Sequence, residues 1–316
     1  MERKNLVNTV KLVGELVSKQ VRRSNEGTAD ETLSLEVVVR TGETEEHTVS
    51  FFSYKYGKNE SGRREKRDDK ISKLFQGYET VVREFKAMDD ENGDGTGEKV
   101  EIKGSLSKNM YVDKSEQLKE FMKIKGTFCS RVKDVSKYTP CAVWSAHIYI
   151  TNVEEEIKDV TGEYTRVKGI VVDYVEDEFE FRIYHPNVIK GFSRIYSEGD
   201  AALFKGYVVN RPDEAEKVED EVDDDSFGID MDVEADSSNT IRRRYLEIVK
   251  GDSRPMDNDD EEHPLSDENI AKYKKNINNR KSDIIAKHEE KQKNDKNTNK
   301  IDPNAGVDDL MDNIPF

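Results

Sequence analysis

Thr9-Val-Lys-Leu-Val-Gly-Glu-Leu-Val17 decides the reading of the fold. The stretch Asn8–Ser18 has the apolar content of a β-strand, and it carries Gly14 in its interior, where a glycine marks a sharp bend or a bulge. The same wording returns in Val100-Glu-Ile-Lys-Gly104, Met122-Lys-Ile-Lys-Gly126, Arg166-Val-Lys-Gly169 and Leu203-Phe-Lys-Gly206. Plain strand composition would not place a glycine inside an apolar strand at five separate places. Strands that coil hard enough to serve two faces of a small barrel need such glycines.

Working outward, Thr32–Arg40 reads as a second strand across the polar loop Ser24–Glu31, and His47–Tyr56 as a third. The basic loop Gly57–Lys70 follows. Ile71, Leu74, Phe75, Tyr78, Val81, Val82 and Phe85 then fall at helical spacing, which predicts an amphipathic helix over Ser72–Lys86. Val100–Ser107 turns through Asn109–Gln117 into Glu120–Val132. Three strands, a helix and a hairpin is the order of an oligonucleotide-binding (OB) barrel. That order repeats in Ala142–Val153, Tyr164–Tyr174, Glu178–Tyr184, a short helix at Asn187–Tyr196, Ala201–Asn210 and Arg242–Lys250. The expected fold class is therefore mainly β: two OB-fold barrels with one helix each, followed by a disordered acidic C-terminal tail. The expected domains are residues 1–135, residues 136–251 with an acidic insertion at 211–240, and the tail 252–316. Ala142–Val153 either opens the second barrel or closes the first, so the boundary stays open between residues 133 and 160.

A chain of 316 residues has room for two domains and tails. With 34% hydrophobic and 37% charged residues, not all of it can pack. The net charge of −16 is unevenly held. Residues 1–170 carry 30 basic and 30 acidic side chains, whereas Asp213–Asp236 holds 13 acids against Lys217 alone. Asp252–Glu268 holds 8 acids against Arg254, and Lys272–Lys300 reverses to 10 bases against 4 acids. Screening confines each charge to about 8–10 Å at cellular salt, so an acidic tail does not bar the body from binding nucleic acid. From Asp252 onward the composition predicts no packed structure, with Ser266 offering a cap for a helix through Ile270, Tyr273 and Ile277 should one form. A flexible tail of that length spans roughly 40–50 Å. Cys129 and Cys141 make neither a disulfide framework nor a metal site and read as ordinary thiols in a reducing compartment. No apolar run reaches membrane-spanning length and no signal segment opens the chain, which predicts a soluble, cytoplasmic protein without a membrane partner.

The chain closes on Gly306-Val-Asp-Asp-Leu-Met-Asp-Asn-Ile-Pro-Phe316. Asp308, Asp309 and Asp312 lead into Ile314-Pro315-Phe316. Pro315 pushes Ile314 to an extended conformation, leaving an apolar hook with a carboxylate for a pocket with a basic rim. This end resembles the tip of bacterial and bacteriophage single-stranded DNA-binding proteins. The opening Val-Lys-Leu-Val-Gly-Glu-Leu is similar to that family's first strand, Phe52 falls near its stacking aromatic, and Lys108-Asn-Met-Tyr111 occupies its basic hairpin. The long loop 57–70, the extended segment 88–99 and the chain beyond residue 133 depart from the family. The resemblance implies a protein of DNA replication, recombination and repair in a bacterial or phage-infected cell. It would coat single-stranded DNA and recruit replication and repair proteins through Asp308, Asp309, Asp312, Ile314, Pro315 and Phe316.

A binder of single strands needs cations to follow phosphates and aromatic faces for bases, each worth roughly 1–3 kcal/mol. Strand alternation puts Phe52, Tyr54 and Tyr56 on one face of the third strand and Phe51 on the other; the competing register buries Phe52 and exposes only the tyrosines. Lys55 and Lys58 interleave them. Lys108 and Tyr111 form a second cluster, and Arg22, Arg23, Arg63 and Arg64 are candidates for backbone contact or else line solvated loops. Trp144 and Tyr149 read as core. Asp90-x-Asn92-x-Asp94-Gly95 with Glu101 has the spacing of an EF-hand calcium loop, but Gly97 stands where that motif wants an apolar residue and a strand follows instead of a helix. No phosphate-binding loop, Cys/His metal set or nucleophile elbow is legible, so neither an enzyme nor a cofactor is expected. The rival readings are an OB-fold interaction adaptor or DNA mimic that leaves DNA alone, and a metal-dependent nuclease using the acidic clusters.

Overall fold

In this computed structural model, the structure describes residues 5–59, 61–67, 70–90, 94–113, 115–134, 136, 138–159, 161–212 and 242–298. Their element order is β1 (Asn8–Ser24), β2 (Thr32–Arg40), β3 (Glu46–Tyr54), α1 (Lys73–Glu84), β4 (Lys99–Val112), β5 (Leu118–Arg131), β6 (Cys141–Asp159), β7 (Gly162–Val172), β8 (Glu176–Ile183), α2 (Pro186–Ile195), β9 (Ala201–Pro212), β10 (Arg242–Gly251) and α3 (Asp267–Thr298).

The described strands form one sheet in the order β2-β3-β5-β4-β1-β6-β7-β8-β10-β9, with β2–β1 and β6–β9 closing it at both ends. The result is two closed five-stranded barrels, β1-β2-β3-β5-β4 and β6-β7-β8-β10-β9. In each, the third strand meets the fifth in parallel: β3 with β5 at Val49↔Ile124 and Ser50↔Lys125, and β8 with β10 at Leu246↔Phe181 and Glu247↔Arg182. In each, the helix lies between the third and fourth strands in sequence. This is the predicted pair of OB barrels, and β6 opens the second.

The first halves of β1 and β6 join the barrels. Residues 8–13 of β1 pair with Ala146–Cys141 of β6 while Val10–Glu15 pair with β4 on the other side. From Glu15 onward β2 takes the place of β6 beside β1. Gly14 sits at that changeover, where an added Cβ would run into the Arg40 carbonyl. A Cβ at Gly206 would likewise meet the Glu247 carbonyl, between β9 and β10. Gly14, Gly104 and Gly206 are thus points of backbone-to-backbone approach, which only a residue without a Cβ allows, whereas a Cβ at Gly126 would strike the Phe51 ring and one at Gly169 the Ile148 side chain.

Ser72 caps α1, and the helix buries Phe75, Tyr78 and Val81. Tyr78 packs edge-on against Phe51 at 5.1 Å and donates to the Thr127 carbonyl at 3.2 Å. Trp144, expected in the core, lies there against Phe181 at 5.0 Å, and Tyr149 is also buried. Cys129 and Cys141 are free and half-buried, with burial pushing the Cys129 thiol up to about 12.

The boundary of the expected tail needs correction. Residues 252–298 are not a featureless leash: Asp252 and Met256 bond to the backbone of Leu203 and Ala201, Leu265 is fully buried, and Tyr149 donates to Asp267 at 2.7 Å. Ser266 caps α3 by accepting from the Asn269 N–H, and α3 runs to Thr298, well past Ile277. Composition underrated this stretch because four apolar side chains, Leu265, Ile270, Tyr273 and Ile277, are all buried. By compactness, Met1–Ser107 with Met122–Ile270 form one unit and Lys108–Phe121 with Ala271–Phe316 a second. The acidic insertion beyond Pro212, and the tip at Asp308, Asp309, Asp312, Ile314, Pro315 and Phe316, lie outside the described residues.

Candidate nucleic-acid interface

The outer face of the first barrel is set by register. β2 pairs with β3 at Ser34↔Phe52 and Thr32↔Tyr54, and β1 continues the first row through Arg22↔Ser34. Arg22, Ser34 and Phe52 therefore share one row and one face. Phe51 points inward and is 1% exposed, whereas Phe52 is 48% and Tyr54 37% exposed. Their rings meet edge to face at 5.1 Å and 86°. Two exposed aromatics side by side on a pleated sheet offer flat apolar surface to a base.

Tyr56 does not join them. It is 2% exposed. β3 ends at Tyr54, and Tyr56 forms a bridge with Ile71 as the chain turns toward α1. Strand alternation holds only while the strand lasts, and the sequence carried no break before Gly57.

The cations sort into two groups. Lys55 donates twice to the buried Glu31, at 3.1 and 3.0 Å. Burial opposes the Glu31 charge, but hydrogen bonds from Lys55 and the Gly27 N–H hold its carboxyl below the usual range. Arg23, on β1 and not in a loop, is held by Glu79 of α1, whose hydrogen bond raises the guanidinium above its ordinary value. These two cations staple the fold. Arg22, Lys58 and Arg63 are exposed and make no ion pair among the described residues. Arg64 lies between: its guanidinium covers the Tyr54 ring at 3.4 Å and pairs with Asp30 at 3.6 Å. The loop that carries it is folded back, with Lys58 bridged to Arg64 and Lys66 donating to the Gly27 carbonyl at 3.2 Å.

In the second unit, Tyr111 and Phe121 are both exposed on the β4–β5 hairpin tip and pack at 5.9 Å. Lys108 is bound to Glu120 at 2.7 Å, and Lys281 of α3 reaches the same carboxylate. Burial works against the Glu120 charge, and its two lysine partners overcome it. Lys108 is thus a less available cation than its position in the hairpin suggested.

The YorF family model matches residues 6–299. The chain belongs to the YorF family. No curated protein matches it in sequence. The structure of this YorF-family chain is similar to that of the wild-type single-stranded DNA binding protein from Thermus aquaticus, at 13% identity and a TM-score of 0.44, over 80% of this chain and 94% of that one. It is also similar to a mitochondrial single-stranded DNA binding protein of S. cerevisiae (11% identity, TM-score 0.23, 40% of this chain, 95% of that chain). A third is a Plasmodium falciparum single-stranded DNA-binding protein in complex with single-stranded DNA (14% identity, TM-score 0.24, 40% of this chain, 92% of that chain).

The YorF-family barrels are not alike on their outer faces. On the second barrel, Glu154, Arg166, Glu180, Arg182 and Asp159 form a row of ion pairs at 2.9–3.5 Å across β6, β7 and β8. Glu178 and Glu180 lie at outward positions of β8, and the matching parallel registers set Tyr184 where Phe52 stands: it is half-buried, donates to Asp159 at 2.7 Å and packs on Tyr164 and Tyr245. Such a face offers phosphates carboxylates, and its tyrosine rings are packed on one another and under Arg182. A cleft of about 340 Å³, lined by Glu45, Tyr207, Arg211, Tyr245 and Glu247 among others, is no more suitable. Burial pushes both Glu45 and Glu247 up, with Arg211 opposing.

The calcium-loop residues do not converge. Asp90 accepts from the Ala87 N–H and pairs with Lys19 at 3.4 Å; Asp94 is held by Lys86; Glu101 lies on β4 between Lys11 at 3.0 Å and Lys103 at 3.4 Å. Asn92 lies outside the described residues. Lysines occupy the carboxylates that the motif would have aimed at an ion. The sequence reading also missed exposed aromatics: Phe121 and Phe128 on β5, Tyr174 after β7, and Tyr207 on β9. Phe128 and Tyr207 lie inside strands, where an exposed aromatic has the same local pattern as a core one.

Proposed function

We propose that this chain binds single-stranded DNA on the outer face of its first barrel, with little sequence preference. The observation that carries the reading is the exposed Phe52–Tyr54 pair on β3, with unpaired Arg22, Lys58 and Arg63 nearby. Bases stack on the rings and the cations follow the phosphates. The proposed role is binding and not turnover. The resemblance of the C-terminal tip extends the proposal: Ile314-Pro315-Phe316 and the acids before it recruit proteins of replication, recombination or repair. The charge on the acidic segments also competes with DNA for the basic face when no strand is bound.

Fluorescence anisotropy with a labelled oligo-dT tests the reading. It requires binding that prefers single strands over duplex and weakens steeply with salt. An adaptor or DNA mimic gives no binding at any salt, and a nuclease shortens the oligonucleotide when magnesium or calcium is added. Either result replaces the proposal.

A further inference from the structure

The second barrel has a closed outer face, yet it sends one feature toward the first barrel. β7 and β8 are joined by a short turn in which Asp173 donates to the Val175 carbonyl at 3.3 Å. Tyr174 at its tip is 89% exposed, more than any other large hydrophobic side chain among the described residues. Its ring lies 5.7 Å from the Nζ of Lys125, which belongs to β5 of the first barrel. Lys125 is exposed and makes no ion pair with a carboxylate among the described residues. The acids that follow Tyr174, Glu176 and Asp177, are buried, so they do not confront a phosphate at the tip.

Register ties this tip to the site already described. Ser50 of β3 pairs with Lys125, and Phe52 lies two residues further along β3 on the same face. With strands about 4.8 Å apart and about 3.3 Å per residue, the Lys125 and Phe52 backbones are about 8 Å apart. An aromatic, a cation and a second aromatic therefore follow one another across the barrel junction. A solvent-exposed tyrosine ring earns little by packing, and here it stands beside a free cation on the face that already presents Phe52. We propose that Tyr174 and Lys125 extend the single-stranded DNA path from the first barrel onto the β7–β8 turn of the second, with Tyr174 stacking a base and Lys125 contacting the backbone. This inference rests on the DNA-binding reading of the first barrel.

The test compares Tyr174→Ala, Tyr174→Phe and Phe52→Ala in the full chain, using oligo-dT from the short to the long end of the range that single OB folds occupy, about 4 to 16 nucleotides. The expected result is that Tyr174→Ala weakens binding of the long oligonucleotide roughly five-fold or more. It leaves the short one unchanged, and Tyr174→Phe restores the long one. The melting temperature of Tyr174→Ala should match wild type, because the ring is almost wholly in solvent. If wild type and Phe52→Ala differ while Tyr174→Ala binds both lengths like wild type, the inference is overturned and the first-barrel reading stands. If wild type fails to bind any single strand, both fall together. Unchanged DNA affinity with loss of self-association in Tyr174→Ala would assign the tip to a protein contact and equally overturn the inference.

Discussion

Replacing Phe52 with Ala removes one ring from the proposed stacking pair and little else. Phe52 is 48% exposed, so its truncation opens no closed cavity. It loses the edge contact with Tyr54, a pair worth about 0.5–1.5 kcal/mol beyond area burial. In the bound state it also loses a base stack of about 1–3 kcal/mol, a weakening of about 5- to 150-fold. The control is Tyr56→Ala on the same stretch. Tyr56 is 2% exposed, so its loss should cost stability at the scale of core aromatic truncations, about 3–5 kcal/mol. Its effect on affinity, measured where the variant is still folded, should be small. Anisotropy with oligo-dT gives the affinities, and thermal unfolding followed by circular dichroism gives the stabilities. The reasoning is refuted if Phe52→Ala binds like wild type, or if Tyr56→Ala, still folded, loses more affinity than Phe52→Ala.

Three further outcomes are expected. Arg22→Ala should lower the slope of log affinity against log salt by about 0.7, the contribution of one phosphate contact on a single strand, whereas Arg23→Ala, which breaks the Glu79 ion pair, should lower the melting temperature with little change in slope. His147 and His263 both accept a backbone N–H at Nδ1, from Val7 at 2.7 Å and Leu265 at 3.2 Å, and burial holds both below the usual histidine value. The unfolded chain then takes up protons first, so stability is retained above a pH of about 6.5 and falls as the pH drops below it; His147→Asn, which keeps an acceptor but cannot be protonated, should flatten that fall in melting experiments between pH 7.5 and 5.5. Deleting residues 306–316 should leave affinity for single strands equal or higher while abolishing capture of partner proteins, and a loss of DNA binding on that deletion would count against the recruiting role.

Much of the fold was legible because its determinants are local. The apolar strands with interior glycines, the helical spacing from Ile71 to Phe85, and the repeated strand order gave both barrels. Phe51 and Phe52 fell on the expected faces because they lie well inside β3. Tyr56 failed two residues past the strand end, where alternation no longer applies. Ion-pair partners were illegible: that Lys55 meets Glu31 and Arg23 meets Glu79 depends on closure of the barrel over 24 and 56 residues of sequence. Tyr174 read as the end of a strand because Ile170-Val-Val-Asp-Tyr-Val175 holds β-branched and aromatic residues with no Gly, Pro or Asn to mark the turn. The segment 252–298 was misjudged by averaging, since a few buried apolar residues anchor a stretch whose composition is otherwise that of a solvated chain.

The central claim concerns which surface touches bases, and photocrosslinking addresses it without mutation. An oligo-dT carrying iododeoxyuridine would be bound to the full chain, irradiated and digested, and the adducts mapped by mass spectrometry. Adducts on the peptide bearing Phe52 and Tyr54 are the predicted result. Adducts confined to the outer strands of the second barrel or to α3, with none on β3, would contradict it.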